Sequence, residues 1–376
     1  MTYRLSLDTQ EFLQRYWQQQ PVLIPGAFQD FVDPLEPDEL AGLALEEGVA
    51  SRIVIREGDA WRGESGPREE YDSLGSENWQ LLVQAINHYL PEAQCLAQAF
   101  RFLPDWRFDD VMASFAVPGG GVGPHIDNYD VFIIQGRGER RWQVGDRGNY
   151  ARRDNSQGLS LVEDFTPIID AVMQPGDLLY IPPGYPHAGQ TLSPSLSYSV
   201  GFRAPSQQEL ISALADTLLD QDLGQTRFTS QSEPKAPAQI SQQHQQGMAE
   251  LVHAMVDDAS TWPTLLGTLL SQNRFELALW PPEQPLSLDE LHTALQQGQA
   301  LQRIGGLKVL QLEGDQQNRL FLDGQCWVLP EPLRPIASLL ADEDCLNGAQ
   351  LEPLLADGDS ADALLQWVNA GYWYLD

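Results

Sequence analysis

SFAVPGGGVGPHIDNYDVFIIQGRGERRWQVG, residues 114–145, decides how the chain is read. At its middle an imidazole and a carboxylate stand two residues apart, His125 and Asp127, after a glycine-rich turn and before the apolar β-formers of 131–134. In a strand, residues i and i+2 face the same side, so this pair can grip one ion. The third ligand comes from IPPGYPHAGQ, 181–190, which supplies His187. Two histidines and one carboxylate with open positions form the facial arrangement of non-haem Fe(II) oxygenases. Zinc, manganese or nickel can also occupy such barrels, but this donor set favours Fe(II).

Working outward, the whole of 106–203 reads as β: about eight short alternating segments punctuated by Gly and Pro, with no room for long helices. That pattern predicts a closed barrel or double-sheet jelly roll of the cupin kind. Upstream, Asp8 or Thr9 caps a first helix, 21–28 forms a short buried strand, and 51–63 forms two strands around a Gly-Asp turn. Residues 78–102 read as helix interrupted at Pro91. Downstream, the character changes after Ala204-Pro205. Amphipathic helices near 206–221, 248–256 and 262–272 flank a Gln/Ser/Pro-rich linker over 221–245. Beyond WPPEQP, helices surround a small sheet in a winged-helix-like pattern. The expected division is 1–205 catalytic barrel, 206–279 helical domain and 280–376 winged-helix-like domain, a mixed α and β chain.

Composition narrows the chemistry. With 42% hydrophobic and 9% aromatic residues the 376-residue chain is folded, and its net charge of −31 repels nucleic acid and anionic membrane while attracting basic partners. Solubility alone would account for the acidity equally well. Residues 281–376 hold 15 acidic and 4 basic side chains, the wrong sign for a phosphate-contacting wing, so direct nucleic-acid binding is not expected. Three scattered cysteines without CxxC indicate neither a disulfide framework nor a zinc-thiolate site. No signal peptide or eighteen-residue apolar run is visible, which predicts a cytoplasmic protein with no membrane partner.

Most histidines merely satisfy local hydrogen bonds. Here His88, His244, His253 and His292 lie in helical or linker sequence, while His125 and His187 sit in glycine- and proline-rich β context. Oxygen chemistry at a facial triad needs an electron donor such as 2-oxoglutarate, whose distal carboxylate requires a buried cation, best a guanidinium. The only lysines are Lys235 and Lys308, so arginine must serve. In RGERRW, parity with Trp142 and Val144 puts Arg140 inside, with Ser114 able to add a hydroxyl; Arg137 and Arg141 read as a solvated hairpin face, and Arg203 is the rival anchor. Asp110, Met112 and Ser114 share one strand face, as do His125, Asp127 and Tyr129. Asp110 and Tyr129 could therefore offer a carboxylate and an aromatic wall to a guanidinium, or simply start a strand and pack in the core.

The segments YWQQQPVLIPGAF, VPGGGVGPHIDNYDVFIIQGRGERRW, QPGDLLYIPPGYPHAG and YSVGFRAP resemble the JmjC-domain 2-oxoglutarate oxygenases, and more narrowly the bacterial ribosomal oxygenases, over essentially the whole chain. The resemblance implies a double-stranded β-helix (cupin/JmjC jelly roll) followed by a helical dimerisation segment and a C-terminal winged-helix-like domain. It implies His125, Asp127 and His187 as iron ligands and Arg140 with Ser114 as 2-oxoglutarate contacts. It also implies a homodimer that uses Fe(II), 2-oxoglutarate and O2 to hydroxylate an arginine β-carbon of a basic large-subunit ribosomal protein. Relatives often carry asparagine where this chain has Ser197, so that contact must differ here. The rival readings are a histidinyl or asparaginyl hydroxylase or demethylase of the same fold, a non-catalytic cupin sensor, and a cupin isomerase. Isomerase sites usually carry more histidines, which disfavours the last.

Overall fold

The structure, a computed structural model, describes residues 2–153, 156–230, 237–258 and 261–376. Helix α1 (Thr9–Arg15) is capped by the Asp8 carboxylate, which accepts from the Glu11 amide; β1 (Val22–Ile24) and α2 (Pro37–Leu43) follow. Then come β2 (Ser51–Glu57), β3 (Ala60–Ser65), β4 (Trp79–Val83) and α3 (Pro91–Gln98). The barrel proper runs through β5 (Phe108–Ala116), β6 (His125–Ile126), β7 (Asp130–Gln135) and β8 (Arg140–Gly145). It continues through the two-residue β9 (Ser156–Gln157), then β10 (Pro167–Met173), β11 (Leu178–Ile181), β12 (Pro186–Thr191) and β13 (Ser195–Phe202).

One sheet has the order β1-β11-β7-β13-β5-β4-β2-β3-β9, and the facing sheet is β10-β8-β12-β6. From β5 to β13 successive strands fall alternately in the two sheets, which is a double-stranded β-helix, while β1 to β4 extend the first sheet. Strand β7 shows why its sequence is continuously apolar. Phe132 and Ile134 turn outward into a core with Phe12, Phe100 and Tyr180, while Val131 and Ile133 turn into the barrel beside Trp142, Val144 and Ile181. A strand covered on both faces has no need to alternate.

Residues 78–102 depart from the helical expectation. Trp79, Gln80, Leu81, Leu82 and Val83 form β4, buried throughout and paired with β5 on one side and β2 on the other. A short apolar run carries no periodicity to separate strand from helix, and the open slot beside β5 decides. The helix begins only at Pro91, where the missing N–H costs nothing at the first position.

After the barrel, α4 (Gln207–Asp220) opens with a capping box between Ser206 and Glu209, and α5 (Gln242–Val256) and α6 (Thr261–Ser271) follow. Helix α5 starts inside the stretch expected as linker, with Ser241 as its N-cap; residues 231–236 of that stretch lie outside the described residues. The C-terminal module comprises α7 (Leu288–Gln296), β14 (Ala300–Arg303), β15 (Val309–Leu310), β16 (Arg319–Leu322), β17 (Gln325–Val328) and α8 (Arg334–Asp342). It ends with β18 (Cys345–Asn347), α9 (Gly348–Leu355), α10 (Gly358–Ala370) and β19 (Trp373–Leu375), around a core that includes Leu291, Leu301, Trp367 and Trp373.

This module is docked on the barrel. The Gly306 amide donates to the Gln94 side chain at 3.1 Å, Arg101 reaches the Asp342 and Ala341 carbonyls, and Gln98 meets Asp344. Helix α6 lies on β16, with Gly267 so close to the Phe321 ring that a methyl group would collide with it. Among the described residues no helix is long and apolar enough to cross a membrane.

Candidate active site

His125 ends the glycine-rich approach and sits on β6, paired directly opposite His187 on β12. Asp127 follows immediately. One ligand atom from each of the three lies within 4.8 Å of the others: His187 Nε2 is 3.5 Å and His125 Nε2 is 3.9 Å from Asp127 Oδ2. Both imidazoles are oriented from behind. His125 Nδ1 is 2.9 Å from the Gly123 carbonyl and His187 Nδ1 is 3.1 Å from the Tyr185 carbonyl, so each Nδ1 carries the proton and each Nε2 lone pair faces the shared centre. Burial, with His125 beside it, pushes His187 down to about 4, which keeps it neutral as a metal ligand must be. His187 is 2% exposed while His125 and Asp127 are each 21% exposed, so the cluster opens on the β6 side. Three donors of this type on converging strands fit one Fe(II) with room for further ligands.

The interior beside the cluster is cationic. Arg140 is 2% exposed on β8, as parity predicts, and is held by hydroxyls alone. Its Nη1 donates to Ser197 Oγ at 2.9 Å and to Ser114 Oγ at 3.2 Å, and its Nη2 donates to Ser195 Oγ at 3.1 Å. Among the described residues no carboxylate pairs with it, and its Nε finds no partner. Burial pushes the guanidinium down to about 10, still charged at neutral pH. A buried cation without a counter-ion is costly unless a ligand supplies the anion, and the distal carboxylate of 2-oxoglutarate has the right charge and shape. Arg203 is different: it is 41% exposed, 4.0 Å from Glu209, with its guanidinium 5.9 Å over the Tyr129 ring. Arg137 and Arg141 lie on the surface, paired with Asp33 and Glu36 and with Asp170.

Ser197, noted in the sequence only as standing where relatives often carry asparagine, belongs to this pocket, and so does Ser195, to which the sequence reading assigned no role. The signal was available in β13, SLSYSVGF. Its Leu196, Tyr198 and Val200 enter the outer core, which leaves Ser195, Ser197 and Ser199 for the barrel interior. Ser197 stands opposite Ser114 across the β13–β5 ladder, and both share Arg140.

At the other end of β5, Asp110 is 4% exposed and its Oδ2 accepts from the Ala85 amide at 2.9 Å. Burial and the neighbouring Asp109 push its carboxyl up to about 7. Its Oδ1 and the Tyr129 ring edge come together over Gly201, where a methyl group would lie 3.6 Å from the oxygen and 3.9 Å from the ring. The Asp110 carboxyl and the Tyr129 ring are thus neighbours, though Tyr129 lies in a bend beyond the two-residue β6, so strand parity is not what brings them together. No sequence signal points to the cation beside them, Arg274, which is 2.8 Å from Asp109 and 3.7 Å from Asp110.

Comparison with known proteins agrees in both halves of the chain. The JmjC domain family matches residues 95–210 and the ROXA-like winged helix family matches residues 248–374. The ribosomal protein uL16 3-hydroxylase of Escherichia coli K12 is 43% identical over 378 residues, covering 100% of both chains. A probable ribosomal oxygenase of Haemophilus influenzae is 31% identical, covering 96% of this chain and 94% of its own. The E. coli ribosomal oxygenase YcfD, solved in complex with cobalt and 2-oxoglutarate, superposes with a TM-score of 0.91 at 42% identity, over 100% of this chain and 99% of that one.

Proposed function

The chain belongs to the bacterial ribosomal oxygenases of the JmjC class, and on that premise we propose that it hydroxylates the β-carbon of an arginine side chain in a large-subunit (50S) ribosomal protein. It is a 2-oxoglutarate-dependent dioxygenase that works with Fe(II) and O2. Because the E. coli relative is a uL16 3-hydroxylase, and position 3 is the β-carbon, uL16 is the first candidate substrate.

In this reading His125, Asp127 and His187 hold the ferrous ion. When bound, the ion with O2 converts 2-oxoglutarate to succinate and CO2 and delivers one oxygen atom to a substrate C–H bond. The protein's own share is placement. Arg140, steadied by Ser114, Ser195 and Ser197, binds the distal carboxylate and so fixes the direction from which the cosubstrate reaches the metal. Trp142, Val144, Ile133 and Ile181 line the interior and keep water from the reacting atoms. Asp110 pairs with the substrate guanidinium and Tyr129 offers its flat face. The observation that carries the reading is the buried, carboxylate-free Arg140 on the strand that pairs with the His187 strand, four positions along from His187.

The surface supports two further parts of it. A net charge of −31 suits a basic ribosomal protein met in the cytoplasm, and the acidic C-terminal module argues against a nucleic-acid contact. Met248, Val252 and Val256 form an exposed apolar stripe along α5, and Ile211 and Leu219 are exposed on α4, which supports a homodimer through the helical segment.

The test is incubation of the chain with candidate large-subunit proteins, Fe(II) and 2-oxoglutarate, read by intact and fragment mass. One added oxygen on an arginine is expected, and His125→Ala abolishes it. Oxygen on a histidine or asparagine, or loss of a methyl carbon, would replace the arginine reading. Absence of succinate release with every substrate would favour a sensor.

A further inference from the structure

Asp109 and Asp110 open β5 side by side, 7% and 4% exposed. Two adjacent buried carboxylates are unfavourable without cations, and those around them come from other parts of the chain. Arg274, in the segment leading from α6 into the C-terminal module, places its Nη2 2.8 Å from Asp109 Oδ2 and 3.7 Å from Asp110 Oδ1, with its guanidinium 4.3 Å over the Phe275 ring. Lys308, between β14 and β15, feels the charge of both carboxylates without pairing with either, its ammonium 3.4 Å from the Gln272 carbonyl. Arg203 adds a third cation from the end of β13.

The distances are unequal, and that matters. At 2.8 Å Arg274 is bound to Asp109, whereas 3.7 Å is beyond a hydrogen bond and leaves Asp110 Oδ1, beside Gly201, free of a bond to Arg274. The Ala85 amide fixes the other oxygen, so the Asp110 carboxyl cannot turn away. Arg274 thus supplies charge to Asp110 without occupying it.

We propose that Arg274 is a positioning residue for the substrate site. Delivered by the segment that joins the helical and C-terminal modules, it braces the Asp109–Asp110 pair from outside the barrel, so the accessory modules complete a pocket the barrel only begins. The inference rests on the reading of Asp110 as acceptor of the substrate guanidinium. Every element packed on Asp110 contributes to its charge state. Burial and Asp109 raise its carboxyl, the Ala85 amide, Arg274 and Arg203 lower it, and Lys308 and the Tyr129 hydroxyl stand beyond them. Arg274 counters part of the rise that burial and Asp109 cause, so its loss moves the Asp110 carboxyl further up.

The experiment is steady-state hydroxylation of the protein substrate by the full chain and by Arg274→Ala, Arg274→Lys and Asp110→Asn, from about pH 6 to about pH 9. For Arg274→Ala the expected result is a KM for the protein substrate raised roughly tenfold, as for one unit of carboxyl shift, with kcat at saturation changed by less than about twofold. The acid limb of kcat/KM moves to higher pH, Arg274→Lys restores most of the loss, and the KM for 2-oxoglutarate stays at its wild-type value. Wild-type KM and an unmoved acid limb in Arg274→Ala, while Asp110→Asn still raises KM, would overturn this inference and leave the arginine reading intact. A joint fall in kcat, cosubstrate use and melting temperature would assign Arg274 a structural role instead. Wild-type KM in Asp110→Asn would sink the role of Asp110 itself.

Discussion

Replacing Arg140 by methionine separates what the guanidinium does for the fold from what it does for the cosubstrate. Its contacts are three neutral hydroxyls at 2.9 to 3.2 Å, and burial lowers its pKa from 12.5 to about 10. That displacement corresponds to roughly 3 kcal/mol by which the buried charge disfavours the folded state. The three hydrogen bonds each return about 1 kcal/mol, so the terms nearly cancel. Arg140→Met in the absence of cosubstrate should therefore melt close to the wild type or slightly above it. Bound 2-oxoglutarate changes the balance, because removing one partner of a buried ion pair costs about 3 to 5 kcal/mol. The dissociation constant should rise by two to three orders of magnitude, on the scale of about 1.4 kcal/mol per tenfold. In anaerobic thermal unfolding with Fe(II), cosubstrate at about 100 times its wild-type Kd stabilises the wild type by about 2.7 kcal/mol and leaves Arg140→Met unmoved. If Arg140→Met kept the full cosubstrate shift while Arg203→Met lost it, the anchor would be Arg203 and the argument from burial would be wrong. A steep fall in the cosubstrate-free melting temperature would show that the guanidinium serves the fold.

Two more outcomes follow from the structure. Val252 is 62% exposed at the centre of the α5 stripe; Val252→Glu should shift the chain from dimer to monomer in sedimentation analysis at micromolar concentration, since each apolar side chain of this size contributes about 1.5 to 3 kcal/mol when covered. Asp110 binds its proton more tightly in the folded chain, at about 7 against an ordinary 3.8, so folded stability falls as pH rises from about 4 to about 7 and stays lower above that. Asp110→Asn removes this loss. Its unfolding free energy from urea titration should match the wild type near pH 4 and exceed it above pH 7, by up to about 4 kcal/mol, and equal values at both ends would refute the buried-charge account.

The barrel and its centre were legible because short-range rules set them. Period-two alternation places Arg140 with Trp142 and Val144, and the glycine- and proline-bounded loops mark His125 and His187 as the histidines that are not helical. Strand β4 was not legible, since five consecutive buried residues lack any period, and only the vacant edge of β5 makes them a strand. Arg274 and Lys308 were out of reach for another reason. Nothing near 274 or 308 refers to residues 109 and 110; the docking of Gln94, Gln98 and Arg101 against the C-terminal module brings them together. Local pattern therefore reached the residues proposed for metal and cosubstrate, while tertiary closure brings in the charges at the proposed substrate end.

On the proposed roles, the enzyme must hold a dianionic cosubstrate and a cationic substrate in one interior without letting either take the other's place. Strand β5 bears on both. Ser114 contacts Arg140, and Asp110, on the same face four residues earlier, faces the space over Gly201. At about 3.3 Å per residue the two positions lie roughly 13 Å apart; the β13–β5 and β4–β5 ladders set the register from Val111 to Ala116, and the β13–β5 register shifts at Gly201, beside Asp110. The face is fixed as well, because Val111 and Ala113 are locked into the outer core. A one-residue slip would send Asp110 and Ser114 together into that core, costing both ends of the site at once. The opposite charges are thus kept apart by a strand whose register the core enforces, and the stability of the fold and the order of the site have one physical cause.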